Sequence, residues 1–213
     1  CMAVTTEFEN VPAASLEYLE ARCIVAPSAR CVSIAQHRVR EKQFLKTNGF
    51  PLAPWACIAR EADLEHGLRY PAILTRATQG YDGKGQARVA SHAETRRAWE
   101  CLGRLPCVLE AELPLDCEVS VVLARSRSGD VRTFPVAENR HCAGILDTSV
   151  VPARIDLRLS VEALDMAARI AAKFDFVGVL AVEFFVTGGR LVVNELAPRP
   201  HNSGHFTLEA CAS

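Results

Sequence analysis

The chain lacks an excess of either charge: 24 Lys and Arg stand against 25 Asp and Glu. A dedicated nucleic-acid binder normally carries a basic surplus, so that class is excluded, although a local basic pocket for phosphates is not. No apolar run approaches the roughly 20 residues that a membrane helix needs. No basic stretch followed by an apolar one opens the sequence, so no signal peptide is expected. There is no Gly-x-Ser-x-Gly elbow, no internal repeat and no low-complexity segment. Cysteine is plentiful at nine, but pattern is missing: the count is odd and no Cys-x-x-Cys pair occurs. Cys23, Cys57, Cys107 and Cys117 sit in apolar or strand-like runs. They read as reduced thiols packed as small hydrophobes in a cytoplasmic protein, in preference to a disulfide or zinc framework.

What is present is a balanced globular composition, 49% hydrophobic and 23% charged over 213 residues, enough for a sizeable core. The first residues read as a strand without a lead-in and the last as an unfinished helix, so an internal piece of a longer polypeptide is expected. Residues 3–8 and 23–26 are strand-like and flank a helix over 12–21, the pattern of the closing unit of an open α/β sheet. Residues 33–47 read as one charged helix stopped by Asn48-Gly49. Pro51 and Pro54 bracket a linker. A compact α+β unit follows, with strands at 55–59, 71–74, 87–90 and 107–110 and helices at 61–67 and 93–102. Farther on, strands are expected at 118–124 and 131–136 about a Ser128-Gly129-Asp130 turn, with an extended segment at 145–152. An amphipathic helix over 161–174 should pack through Leu164, Ala168, Ala171 and Ala172. Strands at 178–186 and 191–195 are joined by the turn Thr187-Gly188-Gly189-Arg190.

Two features carry chemistry. Gly80-Tyr81-Asp82-Gly83-Lys84-Gly85-Gln86 follows a strand-like run. Glycine frees the backbone there, so that successive N–H groups can face an anion, and Lys84 adds a point charge suited to phosphate. The second feature is an acidic pair. Strand alternation puts Leu180, Val182 and Phe184 on one face and Ala181, Glu183 and Phe185 on the other. A lone carboxylate in such a strand is costly unless paired or metal-bound. Glu195 ends the partner strand, next to Asn194, so the two carboxylates can meet. They read either as oxygen ligands for Mg²⁺ or as edge carboxylates satisfied by arginines. His201 and His205 have the i, i+4 spacing of a helical zinc site, but Pro200 and Gly204 oppose a regular helix there.

These motifs resemble a known family. Thr6-Glu7-Phe8-Glu9-Asn10-Val11-Pro12, the glycine run, Glu118-Val119-Ser120, Asn194-Glu195-Leu196-Ala197-Pro198-Arg199 and His201-Asn202-Ser203-Gly204-His205 are similar to those of the 5-(carboxyamino)imidazole ribonucleotide synthases. These are ATP-grasp enzymes of purine biosynthesis. The resemblance covers essentially the whole chain, in the family's order. It implies an ATP-grasp fold, of α/β and α+β class, preceded by the end of an open α/β domain. Residues 1–36 would close that first domain. Residues 37–205 would form the ATP-grasp domain, with 52–113 as a small lid and 114–205 as the larger part. Residues 206–213 would begin a truncated C-terminal region.

The implied activity is ATP- and bicarbonate-dependent carboxylation of the amino group of 5-aminoimidazole ribonucleotide, with ATP and Mg²⁺ as cofactors and a homodimer at full length. By position, Arg38 would contact nucleotide, and Gly80 to Gln86, including Gly85, would cover its phosphates. Glu110, Ala111, Glu112 and Leu113 would form the hinge that reads adenine. Glu118 would bind the ribose and His141 would lie beside the nucleotide. Glu183 and Glu195 would hold Mg²⁺ with Asn194 alongside. Arg199, His201, Asn202, Ser203 and His205 would line the ribonucleotide and carboxylation site, Arg199 and His201 acting with Lys84 in catalysis. One position departs from the family: its usual lysine before the glycine loop is Thr75 here, and Arg76 would start on the opposite face. A nucleotide-binding chain without turnover, or a sister enzyme that activates formate, are the alternatives.

Overall fold

The computed structural model describes residues 1–8, 10–65, 67–78, 85–142 and 144–211. The first unit pairs β1 (Ala3–Val4) with β2 (Ile24–Val25) in parallel across α1 (Ala13–Glu20). A small core of Leu16, Ala29 and Val32 seals it. Here the sequence pattern had implied longer strands.

The single helix expected over 33–47 is two: α2 (Ala29–Ala35), capped by Ser28 through the Cys31 N–H, and α3 (Arg38–Thr47). His37 between them is extended, with φ −130°. The Arg38 N–H leaves the helical ladder and donates to the Ala77 carbonyl at 2.8 Å. That break re-aims α3 and sets which of its faces is buried. The stripe Arg38, Glu41, Lys42 and Leu45 has helical i, i+3, i+4, i+7 spacing, and Glu41, Lys42 and Leu45 are buried.

Four antiparallel strands form the small sheet, in the order β3 (Trp55–Ile58), β6 (Cys107–Ala111), β4 (Ala72–Arg76), β5 (Gln86–Val89). One face buries Ile58, Leu74, Val89 and Leu109 against Trp99 of α4 (His92–Cys101). The helix expected at 61–67 is only a 3-10 turn, Glu61–Leu64. The opposite face, with Ile73, Thr75 and Glu110, lines the cleft described below.

The large sheet runs β10 (Ile145–Val150), β9 (Ala137–Cys142), β7 (Cys117–Arg125), β11 (Gly178–Thr187), β12 (Arg190–Ala197), with β8 (Val131–Thr133) also paired to β7. β9 has no counterpart among the sequence expectations. Its residues, Ala-Glu-Asn-Arg-His-Cys, show no apolar alternation, because buried Asn139 bonds to Ser120 and Ser149 instead of entering an apolar layer. The turn after β11 is built as expected, with φ +54° at Gly188 and +68° at Gly189, a backbone that a two-residue hairpin favours and other residues resist. Leu180, Val182 and Phe184 point into the main core.

The helix α5 (Leu157–Lys173) covers that core through Leu159, Ala163, Met166, Ala167, Ile170 and Ala171. The sequence had placed Leu164, Ala168 and Ala172 on this side. Ala171, placed there too, is buried, and half-buried Leu164 packs against the core, but Ala168 is only half-buried and Ala172 is exposed. The face is turned by about one residue because Leu159, Met166, Ile170 and the cap residue Phe174 have the volume to fill the core, whereas the many alanines fit either side. All nine cysteines are free thiols.

The observed face sets a stability contrast. Ile170→Ala should lower unfolding free energy by about 2–5 kcal/mol. Ala172→Ser should change it by less than about 0.5 kcal/mol. Urea titration of both variants checks this, and the reverse order would restore the rotated face.

Candidate active site

A cleft of about 710 Å³ opens between the free face of the small sheet, the segment after β6 and one end of the large sheet. Arg38, Glu110, Ala111, Glu112, Leu113, Glu118, His141, Glu183, Asn194, Glu195, Arg199, His201, Asn202 and Gln86 all line it. Residues from distant parts of the chain, assigned separately above, therefore share one cavity.

Its floor is the β11–β12 hairpin. Glu183 lies directly opposite Glu195 in the ladder, but the next pairing is Phe184 with Val193, so Asn194 is the extra residue of a bulge. A bulge turns neighbouring side chains toward one side. Here it lets Asn194 Nδ2 donate to Glu183 Oε2 at 3.1 Å while Glu195 keeps its place opposite. Burial and the facing charge of Glu195 push the Glu183 carboxyl up to about 7. Glu195 is held low against burial, because Arg38 donates to its Oε2 at 2.8 Å and the positive charges of Lys42 and Arg199 add to this. Arg38 also donates to Glu41 at 3.1 Å.

The cleft wall carries Glu118 on β7 and His141 on β9, with 2.8 Å between Oε2 and Nδ1. That contact, with the charge of Glu118 and then of Glu183 and Glu195, raises the imidazole pKa against burial. His201 sits at the other side, its Nε2 3.6 Å from Glu183 and its Nδ1 2.9 Å from the Ser203 hydroxyl. Burial lowers it to about 4, so at neutral pH it is uncharged.

Two assignments need correction. Ser203 is fully buried behind His201, which it orients, and does not line the cleft. His205 is exposed, outside the cleft lining. In the 3-10 helix over Asn202–Leu208 His205 stands one full turn, about 6 Å, farther along the axis than Asn202, which carries it past the cleft. Among the described residues no group of three His, Cys, Asp or Glu is arranged to hold a metal ion. Gly80, Tyr81, Asp82, Gly83 and Lys84 lie outside the described residues. Gly85, at φ +76°, rests against the Arg76 side chain.

The strand ahead of that loop places Thr75 toward the cleft, and Arg76, which borders the cleft, starts on the opposite face, as alternation requires. The Arg76 guanidinium donates to the Leu102 carbonyl at the end of α4, at 3.1 Å. It does not stand in for a cation at Thr75. Residues missed from sequence were Glu41 and Lys42, whose charges look like a solvated helix surface, and the cleft residues Gln36 and Thr78. The i, i+3, i+4 spacing of Arg38, Glu41 and Lys42 was the available signal.

A small antiparallel sheet facing a larger sheet across a carboxylate-bearing cleft defines the class: residues 43–213 match the ATP-grasp domain, and the chain belongs to the ATP-grasp family. Within that class it is similar to N5-carboxyaminoimidazole ribonucleotide synthases. It is 44% identical over 215 residues to that of Brucella melitensis and 40% identical over 212 residues to that of Bacillus subtilis. These alignments cover 98% of the chain but 59% and 56% of the relatives, so the chain spans just over half their length. The crystal structure of an N5-carboxyaminoimidazole ribonucleotide synthetase in complex with ADP superposes with a TM-score of 0.94 at 41% identity, over 100% of this chain and 57% of that one. The Aspergillus clavatus N5-carboxyaminoimidazole synthase, solved with ADP and 5-aminoimidazole ribonucleotide, superposes with 0.90 at 28% identity, over 98% and 56%.

The carboxylate pair generates a pH prediction. Glu183 has an ordinary value of 4.5 and is raised to about 7 in the fold. The folded state therefore binds the extra proton between those values, and its stability relative to the unfolded chain falls as pH rises through them. Without divalent cation, Glu183→Gln should gain melting temperature over wild type progressively from about pH 5 to about pH 7 and level off above it. A difference that stays flat across this range would mean Glu183 is ionised throughout.

Proposed function

We propose that this chain carries the ATP-grasp machinery of a ligase that uses ATP and bicarbonate to carboxylate the amino group of 5-aminoimidazole ribonucleotide. The observation that supports it most is the opposed Glu183–Glu195 pair, set beside Arg38 on a bulged hairpin and open to the same cleft as the segment 110–113. The relatives named above, and the ADP and ribonucleotide bound by one of them, support the same reading.

The donor set fits Mg²⁺. Burial first, and then the facing charge of Glu195, drive the Glu183 carboxyl toward protonation, a cost that a cation would relieve. Magnesium is usually bound by one or two carboxylates, with water and phosphate oxygens completing the shell, so the absence of a third acidic ligand among the described residues is compatible. Glu183 and Glu195 would hold it, and when bound it supplies charge neutralisation for the transferring phosphoryl group.

The remaining roles belong to side chains and backbone. In the segment 110–113, the N–H groups of Ala111 and Glu112 already donate to the Pro54 and Pro71 carbonyls. This turns the reading of a base toward the Leu113 N–H and the segment's carbonyls. Glu118 would bind the ribose hydroxyls, with His141 beside it. The run Gly80–Lys84 is assigned to covering the phosphates on its sequence. A bicarbonate oxygen would attack the γ-phosphorus and ADP would leave, forming carboxyphosphate. The amine nitrogen would then attack the carboxyl carbon, release phosphate and lose a proton. Exclusion of water by the closed cleft protects the mixed anhydride from hydrolysis. Arg199 would hold an anionic group, since guanidinium donors match carboxylate and phosphate oxygens in pairs. Asn202 and His201 stand next to it, His201 as an uncharged donor or acceptor.

A second reading, nucleotide binding without turnover, is favoured by one observation: neither Thr75 nor Arg76 offers a cation at the end of β4. The two readings separate in one pair of measurements. Phosphate release by the chain should require both bicarbonate and 5-aminoimidazole ribonucleotide; release indifferent to the ribonucleotide would remove the assigned substrate. In calorimetry with Mg·ATP, Thr75→Lys should tighten binding by about ten-fold or more, the worth of one charge-assisted hydrogen bond. Equal affinities would show that Thr75 costs the site nothing.

A further inference from the structure

The cleft mechanism makes no use of Lys42, yet its ammonium is the most completely buried cation among the described residues, with a side chain 1% exposed. A charge so placed is retained only with partners. Lys42 has two, and they come from different sheets. Its Nζ lies 2.6 Å from Glu110 Oε1 on β6 of the small sheet. It also donates to the Asn194 carbonyl on β12 of the large sheet at 3.0 Å. Glu110 opens the segment 110–113, and Asn194 is the bulge residue beside Glu195.

β12 is an edge strand, so its outward backbone groups have no neighbouring strand. α3 supplies the missing partners. Glu41 Oε1 accepts from the Leu196 N–H at 2.6 Å, and Arg38 donates to the Asn194 carbonyl at 3.4 Å and to the Glu195 carboxylate at 2.8 Å. The side chains of Arg38 and Glu41 make these bonds on the large-sheet side, while the Arg38 backbone N–H is taken by the Ala77 carbonyl after β4. Lys42 reaches both sides at once.

Resting on the nucleotide reading above, we propose that Lys42 is a positioning residue for the nucleotide–cation site. Its buried ammonium ties Glu110 of the base-facing segment to the bulge that presents Asn194 and Glu195, and so fixes the separation between the two ends of a bound nucleotide. Lys42 touches neither nucleotide nor cation; it acts through Glu110 and Asn194.

The test has two readouts on the 213-residue chain. Amide hydrogen exchange of the free protein compares wild type, Lys42→Met and Lys42→Gln. Lys42→Met should speed exchange at least ten-fold in both 109–113 and 193–197 while β7 keeps its protection. Lys42→Gln keeps a donor for Asn194 and loses the charge facing Glu110, so its effect should concentrate in 109–113; it also serves if Lys42→Met does not fold. Calorimetry with a non-hydrolysable ATP analogue, with and without Mg²⁺, should show at least a ten-fold loss for Lys42→Met confined to the Mg²⁺ form. Uniform acceleration across all strands, or equal losses with and without Mg²⁺, would overturn the proposal and leave a merely structural lysine. A wild-type chain that binds the analogue in neither form overturns the nucleotide reading, and the exchange pattern then decides the tether on its own.

Discussion

The structure depends on a strip of buried charge between α3 and β12. Arg38, Glu41 and Lys42 occupy the inward stripe of a helix, where apolar residues are the usual occupants, and they meet the edge of the large sheet there. Removing one partner from such a network strands the others in a poorly solvated place, at a cost of about 3–5 kcal/mol for a buried pair. The network does not exist to maximise stability, since a well-packed apolar substitute is often as good. What it does is specify. Only a helix set at one angle and one height can bond the Leu196 N–H, the Asn194 carbonyl and the Glu195 carboxylate together, and the break at His37 provides that angle.

The bulge follows from the same contact. An unbulged β12 would alternate, putting Asn194 on the face opposite Glu195. With one extra residue between the pairs Glu183–Glu195 and Phe184–Val193, both side chains serve the cleft while Val193 still enters the core. The unmatched backbone that a bulge creates is a liability unless something bonds it. α3 bonds it from one side, and the Val193 N–H is taken by the Pro51 carbonyl of the linker. The site therefore rests on rigid elements from both sheets, and its polar floor is backed by the apolar layer of Leu180, Val182 and Phe184.

Much of this was legible in the sequence because it obeys local rules. Alternation assigned the faces of β11 correctly, the paired glycines placed the β11–β12 turn, and two carboxylates at facing ends of a hairpin were enough to bring Glu183 to Glu195. The failures share a cause: wherever burial was polar, or side chains were too small to choose a side, the hydrophobic pattern fell silent. β9 was missed because its inward residues are Asn139 and His141, which bond instead of packing. The inward face of α3 was missed because charge marks a surface in most helices. The face of α5 was misjudged because alanines on either side score alike, and the deciding volume lies in Met166 and Ile170. Ser203 and His205 were drawn to the cleft by proximity in sequence; Ser203 turns to the buried side of the 3-10 helix and His205 stands a turn beyond Asn202 along its axis.

The charge around the cleft argues for an order of assembly on the proposed reading. Among the described lining residues are five glutamates, Glu110, Glu112, Glu118, Glu183 and Glu195, and three arginines, Arg38, Arg76 and Arg199. Arg76 is turned to the Leu102 carbonyl, and Arg38 is already committed to Glu41 and Glu195. Glu110 is matched by Lys42 and Glu112 by Arg88, which leaves Glu183, with an amide and an uncharged imidazole for neighbours, as the carboxylate with the least compensation. A bare triphosphate entering beside it would add like charge to a partly desolvated site, where repulsion is far stronger than in water. A triphosphate that arrives with its cation brings the charge that Glu183 lacks. With Thr75 in place of a cation at the end of β4, the site leans on that imported charge more heavily than a lysine-bearing site would.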